Sequence, residues 1–167
     1  MFEVTDFETG FNGWQFKCWM PHKQIARAEI EPTARLLKTH GVRLYADGRG
    51  DDGIFFLEKI FRVSPQISCL AVSWFFANFD PHTTVNAWPR VIYLGPPRDP
   101  AQPATQHVFT WLTDGDRLTH LGDGRWNQQH YLQNVSPCFE VQVCLGWKIS
   151  WETEHVSYID GLVVIGV

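Results

Sequence analysis

Three tryptophans in the middle of the chain stand among polar residues and turns instead of in apolar runs. Trp88 is followed by Pro89 and Arg90, Trp111 lies just before an Asp-Gly turn, and Trp126 leads into Asn127, Gln128, Gln129 and His130. Aromatic planes beside amides and a guanidinium are what a sugar ring needs. Its C–H face stacks on the aromatic plane while its hydroxyls find donors and acceptors alongside. Trp88, Trp111 and Trp126, with Arg90, Gln128 and Arg49, are therefore the candidate ligand-binding residues. A polar strand is more often a wetted sheet face, and for the run 127–130 that reading stands beside the binding one. Of the eight tryptophans, Trp74, Trp147 and Trp151 fall in strand-like apolar stretches and are expected in the core.

A second chemistry is suggested by "ADGRGDDG", where Asp47, Asp51 and Asp52 crowd among glycines. Calcium takes several oxygen ligands at once, and carboxylates with loop carbonyls suit it. The spacing is not that of an EF-hand, because Arg49 falls on a ligand position and Asp52 where that loop needs glycine. Catalysis finds less support. The seven histidines form no HExxH, and no GxSxG elbow or glycine-rich phosphate loop occurs. Glu152 and Glu154 would share one face of a strand, as two glycosidase carboxylates could. Their setting, "WETEH", reads more simply as a surface turn, so the chain is expected to be non-catalytic.

Composition narrows the class. With 167 residues, 44% of them apolar and 19% charged, the chain is long enough for one domain with a sizeable core. A net charge of −4 without a Lys/Arg cluster argues against nucleic acid. No apolar run is long enough for a membrane helix. No basic segment followed by an apolar stretch opens the chain, which points to the cytoplasm, or to the outside of the cell for a processed form. Cys18, Cys69, Cys138 and Cys144 lack CxxC spacing, against zinc. Disulfides are left open, and Cys69 and Cys144 read as small buried apolar residues.

The elements that must position these residues are strands. In "FEVQVCLGWKISW" apolar and polar residues alternate from Phe139 to Trp151, predicting a long strand with one buried face and a bulge or bend at Gly146. "GIFFLEKIF" and "CLAVSWFFANF" are apolar on both faces, the second suited to the middle of a sheet. "RVIYLG", "QHVFTWL", "DRLTHL", "RWNQQHYLQNV" and "SYIDGLVVIGV" follow, with Asp114-Gly115 marking a hairpin. "HKQIARAEIEPTARLLKTHG" is expected to hold one short helical turn before residues 34–46 return to strand. Many short strands separated by Gly/Pro turns predict an all-β sandwich spanning 1–167 as one domain.

Four pieces taken together resemble one family: "DFETGFNGW", "LYADGRGDDGIFFLEKIFRVSP", "VQVCLGWKISWETEHVSYIDGLVV" and the strand-rich region between. They are similar to the galactose-binding-domain-like jelly rolls, the fold of many carbohydrate-binding modules. The resemblance implies a jelly-roll β-sandwich of two antiparallel sheets whose first and last strands pair. Phe7 and Phe11 would then cap the core beside Tyr158 and Ile159, and Trp14 would begin the next strand and pack inward. Many relatives hold a structural calcium between the N-terminal strand, a loop and the aspartate of "YID". Carried over, its ligands would be Glu8, Asp52 and Asp160, although Gly161 replaces the second acid usual in that motif. The expected function is binding of a carbohydrate or similar polar ligand. The alternative is an interaction or assembly domain, including a homo-oligomer, that buries its aromatics against another chain.

Overall fold

The structure is a computed structural model that describes residues 1–32, 40–50, 52–78, 90–99, 101, 108–112, 127–135, 137–149 and 154–167, with backbone alone at 78, 111, 127 and 149. The strands are β1 (Phe2–Thr5), β2 (Gln15–Trp19), β3 (Ala26–Pro32), β4 (His40–Ala46), β5 (Gly53–Arg62), β6 (Cys69–Asn78), β7 (Arg90–Gly95), β8 (Thr110–Leu112), β9 (Asn127–Asn134), β10 (Glu140–Ile149) and β11 (His155–Gly166). One sheet runs β3-β4-β11-β6-β9, with β1 also paired to β11; the other runs β2-β5-β10-β7-β8. All pairings are antiparallel. The predicted sandwich and the pairing of first and last strands are both present. Among the described residues there is no α-helix.

The two sheets enclose a core that includes Phe55, Leu57, Trp74, Phe76, Val143, Leu145, Trp147, Ile159 and Leu162. Side chains alternate along each strand, so every second residue from Leu70 to Phe76 of β6 and from Val141 to Trp147 of β10 enters this layer, with Phe55, Leu57 and Phe61 of β5 and, on either side of an irregularity, Ile159, Leu162 and Val164 of β11. Burying a Leu, Ile or Phe here contributes about 2 kcal/mol relative to exposure. Trp74 and Trp147 lie in the core as expected, and Trp151 lies outside the described residues.

The motif "DFETGFNGW" is not itself a strand. It is the turn joining β1 to β2, and the strand that pairs with β11 precedes it. Phe7 (φ 58°) and Asn12 (φ 51°) adopt left-handed backbone there, with Gly10 and Gly13 also at positive φ. Such a conformation disfavours a non-glycine residue, and Phe7 is held in it by complete burial in the core with Ile159. Trp14 is buried one residue before β2, its ring edge-on to Phe61 and its Nε1–H donating to Thr5 Oγ1 at 3.3 Å. The Lys59 ammonium closes the turn by donating to Glu3 Oε1 and to the Asn12 carbonyl, both at 2.7 Å.

Three sequence expectations are corrected. Residues 26–32 form β3 and not a helical turn, because Arg27, Glu29 and Glu31 alternate with Ala28 and Ile30 at period two. Strand β10 is buried on both faces from Val141 to Trp147, since Cys144 belongs to a second apolar cluster with Ile54, Phe56, Val91 and Phe109. Gly146 makes no bulge: the β5–β10 register runs unbroken through Gly146↔Phe56. The irregularity lies in β11, where pairing with β6 shifts between Asp160 and Val163 around Gly161, at φ 55°. A second aspartate would disfavour that backbone, which gives a reason for glycine after "YID". Cys144 is buried as expected, whereas Cys69 is half-buried; all four cysteines are free thiols.

Candidate ligand-binding face

Because side chains alternate, Ile54, Phe56, Glu58, Ile60 and Arg62 of β5 point away from the core. They share the outer face of the five-stranded sheet with Glu140, Gln142 and Cys144 of β10 and with Val91 and Tyr93 of β7. The face has two halves. In one, Phe109 lies over the sheet, its ring 5.1 Å from Phe56 and 6.3 Å from Tyr93, and fills the surface above Val91 and Cys144. Trp19 and Tyr93 pack against this cluster and keep part of their rings exposed.

The other half is polar, with Glu58 partly exposed and Gln142 buried at 7% exposure beneath it. The Gln142 amide donates from Nε2 to Glu58 Oε2 at 2.7 Å, and its Oε1 accepts from the Arg98 backbone N–H at 2.9 Å. Lys17 Nζ lies 3.8 Å from the other Glu58 oxygen. Gln142 and Glu58 thus hold one another in fixed rotamers next to the Tyr93 ring. The Tyr93 hydroxyl donates to the Pro96 carbonyl at 2.6 Å, and the Arg98 guanidinium sits 5.9 Å from its ring centre. Burial raises the Tyr93 phenol above its ordinary pKa, with Arg98 pulling the other way. Burial also drives the Cys144 thiol far upward, so Cys144 acts as an apolar residue and not as a nucleophile. Beyond Gln142 the face ends in an open groove of about 800 Å³ lined by Arg62, Pro96, Pro97, Cys138, Phe139 and Glu140, with the Phe139 ring exposed.

The structure distributes the sequence candidates over different surfaces. Arg90 is opposite Trp147 in the register and therefore faces inward. Its guanidinium lies 4.1 Å from the Phe76 ring centre and donates to Gln129 Oε1 at 3.3 Å. Gln128 is exposed on the outer face of the other sheet and donates to Ser73 Oγ at 3.2 Å. Arg49 pairs with Asp47 in the β4–β5 loop, 2.9 Å away. Trp111 has its backbone in β8, opposite Val91, and its side chain lies outside the described residues, as do Trp88 and Trp126. Sequence reasoning missed Tyr93, Glu58, Gln142 and Trp19. The available signal was double-sided apolarity in "GIFFLEKIF" with Gln142, Cys144 and Gly146 on one face of β10.

Of the calcium candidates, Glu8 accepts from the His40 backbone N–H at 3.1 Å and contacts His40 Nδ1 at 3.2 Å. Asp160 is buried, and its Oδ1 accepts from the Gly161 N–H at 2.6 Å. Burial raises its pKa to about 6; the Gly161 bond lowers it, and the Glu8 and Asp6 carboxylates raise it further. Asp52 is not among the charges acting on Asp160, and its carbonyl accepts from Gln24 Nε2. Among the described residues no three ligating side chains converge as a metal site.

No family model and no curated protein sequence matches the chain. Solved structures do. Carbohydrate-binding modules from the β-sandwich superfamily, described for their promiscuous specificity, align over 96% of this chain with a TM-score of 0.63 and 12% identity. The chain spans 60% of the length of that structure. The family 11 carbohydrate-binding module of a Clostridium thermocellum cellulosomal cellulase aligns with all of this chain and 95% of its own, at a TM-score of 0.57 and 9% identity. This chain has the carbohydrate-binding-module fold. A xylan-binding domain from Paenibacillus barcinonensis shares it over 99% of this chain and 93% of its own, at a TM-score of 0.58 and 11% identity. Identities this low carry the fold and leave the ligand to be argued from the surface.

Proposed function

We propose that the chain is a non-catalytic carbohydrate-binding domain that holds its ligand on the polar half of the outer five-stranded face. One observation carries the reading: the partly exposed Glu58 carboxylate is held in place by the buried Gln142 amide, beside the partly exposed Tyr93. A sugar presents hydroxyls to Glu58 and a C–H face to Tyr93. The likeness to xylan-binding and other carbohydrate-binding modules supports it. Of the predicted tryptophans, Trp111 belongs to a strand of this sheet, and Trp88, Trp111 and Trp126 remain proposed stacking residues.

A glycan array followed by calorimetry tests the reading. Gln142→Ala, which releases the Glu58 carboxylate from its fixed position, and Tyr93→Ala, which removes a stacking contact, are each expected to weaken the best ligand about tenfold. Uniform silence on the array, with no loss on substituting Trp88, Trp111 or Trp126, would refute it.

We also propose a structural calcium ion at the corner of Asp160 and Glu8, with Asp52 as the third ligand implied by the family resemblance and Asp6 as a further acid whose charge acts on Asp160. A carboxyl whose pKa is raised chiefly by burial, and further by its acidic neighbours, is relieved by a divalent cation. Millimolar calcium should raise the melting temperature and chelator should reverse the rise, while Asp160→Asn should no longer respond. Identical melting curves with calcium and with chelator would remove calcium from the account.

A further inference from the structure

On the opposite side of the molecule, the outer face of the six-stranded sheet carries two side-chain rows that cross four strands. The first follows the register Phe2↔Ile165↔Ala71↔Leu132 over β1, β11, β6 and β9. The second runs Val4↔Val163↔Ser73↔His130. Phe2 is 70% exposed, Leu132 64%, Val4 56% and Ile165 39%. Singly exposed apolar residues are ordinary, but a contiguous strip of them marks a contact surface. Neither row contains Lys, Arg, Asp or Glu.

We infer that this face is a self-association surface whose partner is a second copy of the chain. Two features of the rows select that partner. First, the strip is uncharged, so it can lie on its own copy without like-charge repulsion. Second, it is self-complementary in size. The small residues Ala71 and Ser73 form the floor of a shallow trough of about 530 Å³ between the larger side chains of β11 and Leu132 of β9. A two-fold axis parallel to the strands, between β11 and β6, reverses the strand order of the second copy. Ile165 then meets Ala71 of the second copy, Val163 meets Ser73, and Phe2 meets Leu132 at either rim. A large residue faces a small one at each central position, as an isologous contact requires. The remainder of the face carries charged pairs such as Arg43 with Glu29 and Glu31, so the contact is confined to the apolar strip. It belongs with small, reversible interfaces.

Sedimentation velocity of the full chain, from about 1 μM to about 1 mM, tests the inference. The sedimenting mass should rise with concentration from 19.3 kDa towards twice that value. Leu132→Glu and Ser73→Arg are each expected to raise the dimer dissociation constant at least tenfold with an unchanged circular dichroism melt. The geometry has its own readout in a Cys18→Ser background: mixed Phe2→Cys and Leu132→Cys chains should form a disulfide-linked heterodimer faster than either variant links to itself. A monomer throughout the range, or a dimer that both charged variants leave intact, overturns the inference.

Discussion

Gly146→Ala is expected to be strongly destabilising. A Cβ at this position would stand 2.0 Å from the Phe55 carbonyl oxygen and 2.6 Å from the Phe56 Cα. These are backbone atoms of β5, and no rotamer change can withdraw them. The clash falls in the middle of a register that runs without a break from Glu140↔Arg62 to Ile149↔Gly53, so relief requires the two central strands to part. Overpacking of this kind costs about 3 kcal/mol or more, which for a domain of this size lowers the melting temperature by about 10 °C. Gly10→Ala is the control, because Gly10 has φ +113° and open space around it. It isolates the backbone penalty, about 1–2 kcal/mol. Thermal melts of both variants decide the matter: Gly146→Ala melting with the wild type would show that β5 and β10 tolerate separation.

The second large effect is acid sensitivity from His155. This residue is fully buried, 5.3 Å from the Phe55 ring and 5.8 Å from the Trp147 ring, with Nε2 2.9 Å from Ser157 Oγ. Burial lowers its pKa to about 3, so the folded protein keeps the imidazole neutral while the unfolded chain takes up a proton near pH 6.5. The contribution is therefore fully present above pH 6.5 and is lost as the pH falls from there towards 3. By linkage the loss is of order 5 kcal/mol over the whole window. Asp160 acts in the opposite sense. Its folded pKa is raised to about 6, so its contribution is present below the ordinary carboxylate value and is lost as the pH rises through 6. The wild-type curve therefore mixes both trends, and the useful quantity is a difference between proteins. Relative to wild type, His155→Gln should gain melting temperature steadily from pH 7 to pH 4. Parallel curves for the two proteins would mean that His155 is protonated without cost in the fold.

Much of the fold was legible in the sequence, and the site was less so, for a physical reason. Strand identity depends on local sequence, and "RVIYLG" and "SYIDGLVVIGV" display short β-branched and aromatic apolar runs directly; the former coincides with β7 and the latter forms the body of β11. Pairing of the chain ends followed from the resemblance of the opening and closing motifs. Which face of a strand meets a ligand depends on what covers it, and coverage is a long-range property. Strand β10 looked one-sided because Gln142, Cys144 and Gly146 are polar or small. Phe109, thirty-five residues before Cys144, is what buries part of that face. Arg90 illustrates the converse. A guanidinium beside Trp88 and Pro89 suggested an exposed contact, but its register opposite Trp147 turns it inward. The bulge expected at Gly146 lies instead at Gly161, because close approach and positive φ both call for glycine and composition does not distinguish them.

The central claim is that ligand is held on the outer five-stranded face beside Tyr93. Isothermal calorimetry with the best array oligosaccharide, comparing wild type, Gln142→Ala and Gln128→Ala, tests it most directly. Gln128 is the control on the opposite sheet; it is exposed, whereas Gln142 is buried and positions Glu58. The account predicts about tenfold weaker binding for Gln142→Ala and wild-type affinity for Gln128→Ala. Undiminished binding by Gln142→Ala, or its loss in Gln128→Ala alone, would contradict it.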